Sequence, residues 1–431
     1  MSASPAPATV ARVQAPLGLP RLLAGVRPEG RPLSLDAHLR RHGPLPFDGR
    51  RGHAAHDVVS LVAQSGLTGR GGAAFPVATK LEAVRAGRGR PVVLANGAEG
   101  EPASGKDKVL LAYTPHLVLD GAVLAARAVG AREVIVATAS RTAAAAVAAA
   151  VAERRDQGIS IRGVTVPDRF VAGEETALVQ FVNGGPCLPT FTPPRPSERG
   201  VGGAPTLVQN VETLAHLALV ARYGPEWFRS VGTPDEPGSA LVTLSGAVRQ
   251  PGVYEIPLGR PFAELLKEAG GITVDVQAFL VGGYFGTWIS GADAGTARLS
   301  NADLAPLGAA LGARAIVALP AETCGVAETA RVAAYLAAES AGQCGPCVHG
   351  LAAVANDLER VLHRRDRVDE SLLRRRLGLI PGRGACRHPD GAVKLVASAL
   401  DVFHAEFTRH FNGHRCSGGG RPVLPTKREH T

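Results

Sequence analysis

The sequence is poor in aromatic residues and in methionine, and it contains no long apolar run. Phe, Tyr and Trp together make up 4% of the 431 residues, and there is a single Met. So few aromatics argue against a nucleic-acid-binding surface built on base stacking. No stretch of about 18 uncharged apolar residues occurs, so no membrane span is expected. The N-terminus also lacks the compact apolar segment of a secretory signal. These absences predict a cytoplasmic protein that does not bind nucleic acid.

What is present fits a globular chain of several domains. Hydrophobic residues make up 45% of the sequence and charged residues 20%, which is enough for a sizeable core. The length suggests two to three domains. Lys and Arg (47) exceed Asp and Glu (38), and the resulting net charge of +9 favours acidic partners or phosphate-bearing ligands. Six cysteines in a chain without an export signal favour metal or redox chemistry over disulfides.

The residue patterns divide the chain into five segments. Strands and helices alternate over residues 41–235, which is typical of a Rossmann-like layer with a parallel sheet. Short strands broken by glycine over 236–320 indicate a small β-rich domain. Two apolar helical stripes over 321–412 indicate a helical bundle. Residues 1–40 are expected to form a flexible lead with one short element, and 413–431 a loose tail. In the first domain the predicted helices are 57–64, 77–85, 115–129 and 142–155, and the predicted strands are 91–94, 133–138 and 159–166.

A glycine-rich loop, GRGGAAFP at 69–76, is the first candidate binding motif. Glycines allow backbone N–H groups to approach an anion closely, and the helix that follows adds the positive end of its dipole. Lys80, one turn into that helix, can add a point charge. The alternative is a tight surface turn without a ligand.

Two acidic segments are the next candidates. NGAEGEP at 96–102 follows a predicted strand, where open α/β sheets place their ligands. Its carboxylates, Glu99 and Glu101, can accept hydrogen bonds from a flavin ring, a ribose or a nicotinamide amide, and the alternative is a solvated acidic loop. GEET at 173–176 predicts a helix N-terminus with acidic residues in its first turn, which the helix dipole favours even without a ligand.

The cysteines form the fourth candidate. Cys344 and Cys347 make a CxxC motif at a predicted helix N-terminus, where the dipole favours thiolates, and Cys386 lies downstream. Three thiolates from two segments suggest an iron–sulfur cluster or zinc. The rivals are a thioredoxin-like pair, for which the βαβ context is missing, and cysteines with a purely structural role.

In this order and spacing, the motifs resemble those of one family. It is the flavoprotein subunit of respiratory NADH:quinone oxidoreductase, shared with the diaphorase subunits of NAD-reducing hydrogenases and formate dehydrogenases. That family carries GRGGAGFP with a later Lys, NADEGEP, GEETAL, PT-V-NNVETLA, and ESCGxCxPCRxG with a distant fourth Cys. The corresponding segments of this chain are 69–76, 96–102, 173–178, 205–215 and 339–347, and the match spans about 66–410.

The resemblance implies an FMN-binding domain, a small β-grasp domain of the soluble-ligand-binding type, and a helical bundle with a [4Fe-4S] cluster. It implies hydride transfer from NADH to FMN, and single-electron transfer through the cluster to a ferredoxin-like or other redox protein. It also allows a peripheral position at a membrane through a partner. The implied FMN and NADH contacts are Gly69, Arg70, Gly71, Gly72, Phe75, Lys80, Asn96, Glu101, Gly173, Asn210 and Thr213. The implied active-site acids are Glu99, Glu174 and Glu175, and the implied cluster ligands are Cys344, Cys347 and Cys386.

The chain departs from the family at the cluster motif. Ala341 stands where the family has its first cysteine, so three of the usual four ligands remain. Cys324, upstream in the helical region, is a candidate for the fourth ligand. The alternatives are a water molecule, His349 or His388, or a three-iron cluster.

It also departs where NADH is expected to bind. Ala98 replaces an acidic residue, and the family's KPPFP is TPPRP at 192–196, so a cation and an aromatic ring are missing. Each loss is expected to cost about 1–3 kcal/mol of binding. Arg195 can pair with a phosphate, which makes NADPH an alternative donor. The alternative function is a scaffold or electron-transfer subunit that has lost nucleotide binding.

Overall fold

The structure is a computed structural model, and it describes residues 18–26, 30–46, 53–156, 158–363, 370–414 and 421–426. Much of the predicted N-terminal lead, residues 1–17 and 27–29, lies outside this part of the chain. The lead runs into a short helix, Leu35–His42, which starts within the predicted segment.

The first unit is a four-stranded parallel sheet with helices packed on it, as the alternating pattern predicts. The strand order is β3-β2-β1-β4. The strands are β1 Val92–Gly97, β2 Glu133–Thr138, β3 Ser160–Thr165 and β4 Thr206–Asn210. The helices are α1 Leu35–His42, α2 His53–Ser65, α3 Val77–Arg85, α4 Lys106–Tyr113, α5 Pro115–Val129, α6 Arg141–Glu153, α7 Glu175–Val182, α8 Val211–Tyr223 and α9 Pro225–Arg229.

The central strand β1 places two asparagines side by side at the carboxyl edge of the sheet. Its Val93, Leu94 and Ala95 are fully buried, as in parallel strands covered on both faces. The predicted strand ended at residue 94, whereas β1 continues to Gly97 because its last residues still pair with β2. In the register with β4, Asn96 lies opposite Asn210.

The second unit is a five-stranded sheet of order β6-β5-β11-β8-β9, with a separate two-stranded sheet, β10-β7. Within the five-stranded sheet, only the β5–β11 pairing is parallel. The strands are β5 Ser239–Gly246, β6 Gly252–Pro257, β7 Arg260–Pro261, β8 Val276–Val281, β9 Thr287–Ser290, β10 Arg298–Leu299 and β11 Ala315–Pro320. The helices of this unit are α10 Phe262–Glu268, α11 Gly291–Thr296 and α12 Asn301–Leu304.

The third unit is helical, and its two predicted apolar stripes are confirmed. Its helices are α13 Gly325–Ala338, α14 Ala352–His363, α15 Glu370–Leu379, α16 His388–Val402 and α17 His404–Phe411, with a π-helical turn at Pro346–Leu351. The buried stripe residues are Leu351, Val354, Leu358, Val361, Val393, Val396, Leu400, Phe403 and Phe407.

The C-terminal segment differs from the loose tail expected at 413–431. Its residues 421–426 pack against the helical unit, where Leu424 is buried. The Leu424 N–H donates to the Glu328 carboxylate at 2.8 Å, and the Arg331 guanidinium donates to the Leu424 carbonyl at 2.6 Å. The predicted tail is therefore held at Leu424, which packs into the core of the helical unit.

Among the described residues, no single helix has the length and apolar character needed to cross a membrane. The helices α4 and α5 meet these criteria only when taken together, and they are bent by 95° relative to each other.

Candidate cofactor site

A cavity of about 590 Å³ lies at the carboxyl edge of the parallel sheet, between the three units. It brings together most of the predicted motifs. The predicted site residues that line it are Gly71, Gly72, Asn96, Glu99, Glu101, Gly173, Glu174, Asn210 and Cys386. Gly69, Arg70, Phe75, Lys80, Glu175 and Thr213 are not among its lining residues.

The glycine-rich loop presents free backbone donors to this cavity. The loop is closed at its base, where the Gly69 N–H donates to the Phe75 carbonyl at 2.8 Å. The Arg70 N–H donates to the Thr213 hydroxyl, also at 2.8 Å. Within the described chain, the N–H groups of residues 71–73 donate to no other group, and all three residues line the cavity. Successive unpaired N–H groups are the donor set that binds a phosphate.

The Arg70 side chain points into the protein interior, so the structure does not place it as a cofactor contact. Its guanidinium donates to the Thr68 hydroxyl at 2.9 Å and to the Pro237 carbonyl at 3.0 Å. Burial, together with the nearby Arg314 guanidinium, lowers the Arg70 pKa to about 9. Arg70 therefore ties the loop to the second unit.

Three other predicted contacts lie outside the cavity wall. The Lys80 ammonium pairs with the Glu175 carboxylate at 3.0 Å, and both side chains are partly exposed. The Phe75 ring is 49% exposed. Phe75 belongs to the glycine loop, Glu175 to the GEET turn and Lys80 to the helix after the loop, so all three lie in or next to segments that line the cavity.

Two of the cavity loops cross with no room for side chains. The Asn96 amide donates to the Gly173 carbonyl at 2.8 Å. A Cβ atom on Gly173 would lie 2.4 Å from the Ala98 carbonyl oxygen, and one on Gly100 would lie 2.2 Å from the Phe170 carbonyl oxygen. The glycines of both motifs are therefore required by loop packing, whether or not a ligand is bound.

The Glu99 carboxylate caps α4 at the border of the cavity. It accepts a short hydrogen bond from the Ser104 hydroxyl and 3.3 Å hydrogen bonds from the backbone N–H groups of Asp107 and Lys108. The helix dipole also stabilises a carboxylate at the N-terminus of α4.

The Glu101 carboxylate links the first unit to the second. It accepts the Tyr284 N–H at 2.7 Å and the Ala103 N–H at 3.1 Å. Tyr284 lies just beyond β8 in the second unit. Glu101, a predicted cofactor contact, therefore also connects the two units.

The Glu174 carboxylate is the N-cap of α7, which confirms the predicted helix start. It accepts the N–H groups of Thr176 and Ala177, each at 2.9 Å, and the Thr176 hydroxyl at 2.5 Å. Burial raises the pKa of Glu174, although these hydrogen bonds oppose the shift.

A buried charged network that reaches the wall of the cavity was not predicted from the sequence. The Lys106 ammonium lies 2.6 Å from Asp107 and 2.9 Å from Glu212, and the Asn210 amide donates to Asp107 at 2.7 Å. Burial raises the Asp107 pKa to about 6 although Lys106 opposes the shift. Burial also acts on Glu212, but Lys106 and Arg314 outweigh it and lower that pKa to about 2.

The three remaining motif cysteines all belong to the helical unit: Cys347 is buried in its core, Cys344 packs against that core, and Cys386 lines the cavity. The Cys347 N–H donates to the Cys344 carbonyl at 3.1 Å. Burial and the adjacent Cys344 and Cys386 thiols raise the Cys347 pKa to about 12. Among the described residues, no group of three or more His, Cys, Asp or Glu side chains is arranged to hold a metal ion, so a cluster at these thiols stays a prediction from the sequence.

Cys324, the candidate fourth ligand, is placed elsewhere. Its thiol caps the N-terminus of α13, where it accepts the Ala327 N–H at 3.4 Å and contacts the His410 ring nitrogen at 3.4 Å. Ala341 follows the opposite end of this 14-residue helix, which at about 1.5 Å per residue is roughly 20 Å long. Because the whole length of α13 separates them, Cys324 cannot take the place of the missing cysteine.

An aromatic group in the wall of the cavity was also missed. The Phe170 ring lies 4.8 Å from the Phe285 ring, and both pack edge-on against His388, at 5.6 Å and 5.4 Å between centroids. The His388 Nε2 is 2.7 Å from the Leu336 carbonyl, and its buried Nδ1 has no partner among the described residues. The aromatic residue at 170, three residues before the GEET motif, was the one available signal in the sequence.

Three family models match the chain in the order of its units. Residues 62–219 match the Nuo51 FMN-binding domain. Residues 241–283 match the SLBB domain. Residues 327–410 match the iron–sulfur binding region of NADH-ubiquinone oxidoreductase F. The last range contains Cys344, Cys347 and Cys386 and excludes Cys324.

Similar proteins cover most of the chain. The second NADH-quinone oxidoreductase F subunit of Rhizobium meliloti is 33% identical over 84% of this chain and 90% of its own length. The corresponding protein of Streptomyces coelicolor is 31% identical over 89% of each. Among solved structures, a chain of an NAD+-reducing [NiFe]-hydrogenase superposes with a TM-score of 0.76 at 29% identity, covering 87% of this chain and 68% of that one.

Proposed function

The chain belongs to the family of NADH-quinone oxidoreductase F subunits, and on that premise we propose that it oxidises NADH and delivers single electrons to a redox protein. Bound FMN would supply the chemistry, since a flavin accepts a hydride from a nicotinamide and returns its electrons one at a time. In this proposal the parallel-sheet unit is a Rossmann-like FMN domain. The five-stranded unit is the β-grasp soluble-ligand-binding domain, and the helical unit holds the cluster.

One observation carries the proposal: Cys386 shares a cavity wall with the glycine loop, Asn96 and Glu174. A flavin held in this cavity would therefore lie next to a cluster ligand. The helical unit contributes to the wall through its loop before α16, which supports a flavin and a cluster in neighbouring positions.

The residues of the cavity have distinct roles in this proposal. The free N–H groups of residues 71–73 bind the flavin phosphate, and the loop crossing at Gly173 fixes the wall beside the ring. Asn96 ties the end of β1 to the loop at Gly173, and Asn210 ties the end of β4 to Asp107 on α4. Glu99 and Glu174 border the ring site as capping carboxylates.

The nucleotide would bind on the outer side of the glycine loop. The exposed Phe75 ring is available for stacking there, and the Lys80–Glu175 pair lies on the adjoining turn. Residues 191–195 are exposed, and within them Thr192 and Arg195 replace the cation and the ring of the family motif. This replacement favours a second candidate function, an electron-transfer subunit that does not bind NADH.

Anaerobic purification followed by ultraviolet–visible and EPR spectroscopy tests the proposal. We expect a yellow-brown protein whose flavin absorbance bleaches on addition of NADH. Flavin bleaching by NADPH but not by NADH would identify NADPH as the electron donor. A flavin that neither nucleotide bleaches would favour the second candidate. Protein that stays colourless after reconstitution with FMN, iron and sulfide would contradict both.

The partner in this proposal is a ferredoxin-like carrier or another subunit with a redox centre. The net charge of +9 favours an acidic partner. We propose that the protein works in the cytoplasm, with any contact to a membrane made through its partner. Addition of an acidic ferredoxin should then raise the rate of NADH oxidation, and high ionic strength should suppress that effect.

A further inference from the structure

We propose that Lys394 supplies the positive charge that stabilises the reduced ring of FMN bound in the cavity. A flavin that takes up a hydride carries negative charge on its ring, at N1 and the C2 carbonyl oxygen. A cation beside these atoms favours the charged form. The inference deepens the proposed function and rests on it in one respect only, namely that FMN binds in the cavity.

Lys394 is the cation of the cavity wall that has no partner in the described part of the chain. The Lys106 ammonium is held by two buried carboxylates, and the Arg387 guanidinium pairs with the Asp390 carboxylate at 3.0 Å. Lys394 also lines the cavity. Partial burial lowers the Lys394 pKa, and no neighbouring carboxylate opposes that shift. Its charge is therefore available to a ligand.

The position of Lys394 on α16 directs it toward the ring rather than the phosphate. The flavin phosphate is assigned to the free N–H groups of residues 71–73, in the glycine loop of the first unit. α16 reaches the cavity from the helical unit and packs against the Phe285 ring, where a Cβ atom on Gly391 would lie 2.2 Å from the ring. Lys394 follows three residues later, on the same side of the helix.

The surroundings of Lys394 strengthen its effect on a charged ring. Phe170 and Phe285 line the same cavity, and their rings lie 4.8 Å apart. Apolar side chains exclude water, so charges interact more strongly across the cavity than in bulk solvent. Lys394 is nevertheless exposed to solvent. We therefore expect an effect of about tenfold, the low end of the range for an opposite charge at close distance.

The glutamates of the cavity wall make a cation necessary at this place. Glu99, Glu101 and Glu174 all border the space, and ionised carboxylates would repel negative charge on the flavin ring. The other two cations of the wall already have carboxylate partners. Lys394 is thus the described cation that can offset this repulsion.

Sulfite measures the effect of this charge without a nucleotide. The sulfur lone pair of sulfite forms a bond to N5 of oxidised flavin, and the ring takes up the electron pair as negative charge at N1. The holoprotein is titrated with sulfite while the flavin absorbance is recorded. The dissociation constant should be about tenfold higher in Lys394→Met than in the wild type. The two-electron midpoint potential of the flavin, from a reductive titration, should fall by about 30 mV for the same tenfold factor.

Two variants serve as controls. Lys394→Arg keeps the positive charge and should retain both the sulfite affinity and the potential of the wild type. Lys267→Met removes a charge from the exposed residue on α10, which does not line the cavity, and should also leave both values unchanged. All variants should contain as much FMN as the wild type, because the oxidised ring is uncharged.

Two results would overturn the inference alone. One is an equal flavin potential in Lys394→Met and the wild type, and this measurement decides by itself if sulfite does not reach the wild-type flavin. The other is loss of FMN from Lys394→Met with no change in the potential of the flavin that remains, which would place Lys394 at the phosphate. Because neither measurement uses a nucleotide, a flavin that NADH fails to bleach would contradict NADH oxidation and leave this inference intact. Protein that binds no FMN would overturn both.

Discussion

At the scale of single residues, several side chains of the motifs hold the cavity walls in place. Glu99 and Glu174 cap helices, and Arg70 reaches into the interior. The sequence predicts that these residue types cluster near one site. It cannot predict which backbone groups their charges meet, because those contacts join segments far apart in the chain.

The buried His216 gives a pH-dependent prediction. Burial, reinforced by Arg70 and only partly offset by Glu212, lowers its pKa from 6.5 to about 3. The folded protein therefore binds fewer protons than the unfolded chain between these values, so stability falls as the pH drops below 6.5. His216→Leu should flatten that fall by up to about 1.4 kcal/mol per pH unit.

Chemical unfolding followed by circular dichroism between about pH 4.5 and about pH 6.5 measures this slope. The exposed His404 provides a matched control, and His404→Leu should leave the slope as it is. An identical slope in His216→Leu and the wild type would show that His216 does not titrate as described.

At the scale of elements, regular segments with clear flanking signals are predicted well. The helix at 77–85 and the strand at 133–138 match the structure at both ends. The strand β4 and the helix α4 were not predicted. β4 has five residues and ends in Gln209 and Asn210, so only its pairing with β1 identifies it as a strand. α4 depends on the cap that Glu99 provides from the preceding loop.

The loop crossing at Gly173 gives a prediction for these elements. Gly173→Ala would force a Cβ atom to 2.4 Å from the Ala98 carbonyl oxygen, and neither backbone segment can move freely. We expect a loss of about 1–3 kcal/mol in stability together with weaker FMN retention. Thermal melting and the flavin content of the purified protein measure the two effects.

Gly378, within α15, is the control for that substitution. A Cβ atom there meets nothing within 4 Å, so Gly378→Ala should leave stability unchanged or raise it by about 0.5–1 kcal/mol. If Gly173→Ala were equally harmless, the loops would not cross as tightly as described.

At the scale of the whole molecule, the cavity exists because three units meet around it. The domain order is predictable from the motifs, but the contacts between units are not. Examples are the Tyr284 N–H, which donates to the Glu101 carboxylate, and the Tyr284 hydroxyl, which donates to the carbonyl of Pro425 in the C-terminal segment. Such contacts depend on how separately folded surfaces meet, for which one sequence carries no local signal.

The Glu101 tie can be tested directly. Glu101→Ala would leave the buried Tyr284 N–H without an acceptor, at a cost of about 1–3 kcal/mol. Glu101→Gln keeps one oxygen and should be intermediate. Melting temperature and FMN content should fall in the order wild type, Gln, Ala. The exposed Glu82→Ala on α3 is the control for lost charge, and a melting temperature in Glu101→Ala equal to that control would contradict the tie.

The central claim is that flavin and cluster face one another across a shared wall. Anaerobic stopped-flow mixing of the holoprotein with NADH, with flavin and cluster absorbance recorded together, tests it most directly. We predict that flavin bleaching is followed by loss of cluster absorbance, and that Cys386→Ser abolishes the second phase while the first remains. Full flavin bleaching in the wild type with a cluster that stays oxidised would contradict the claim.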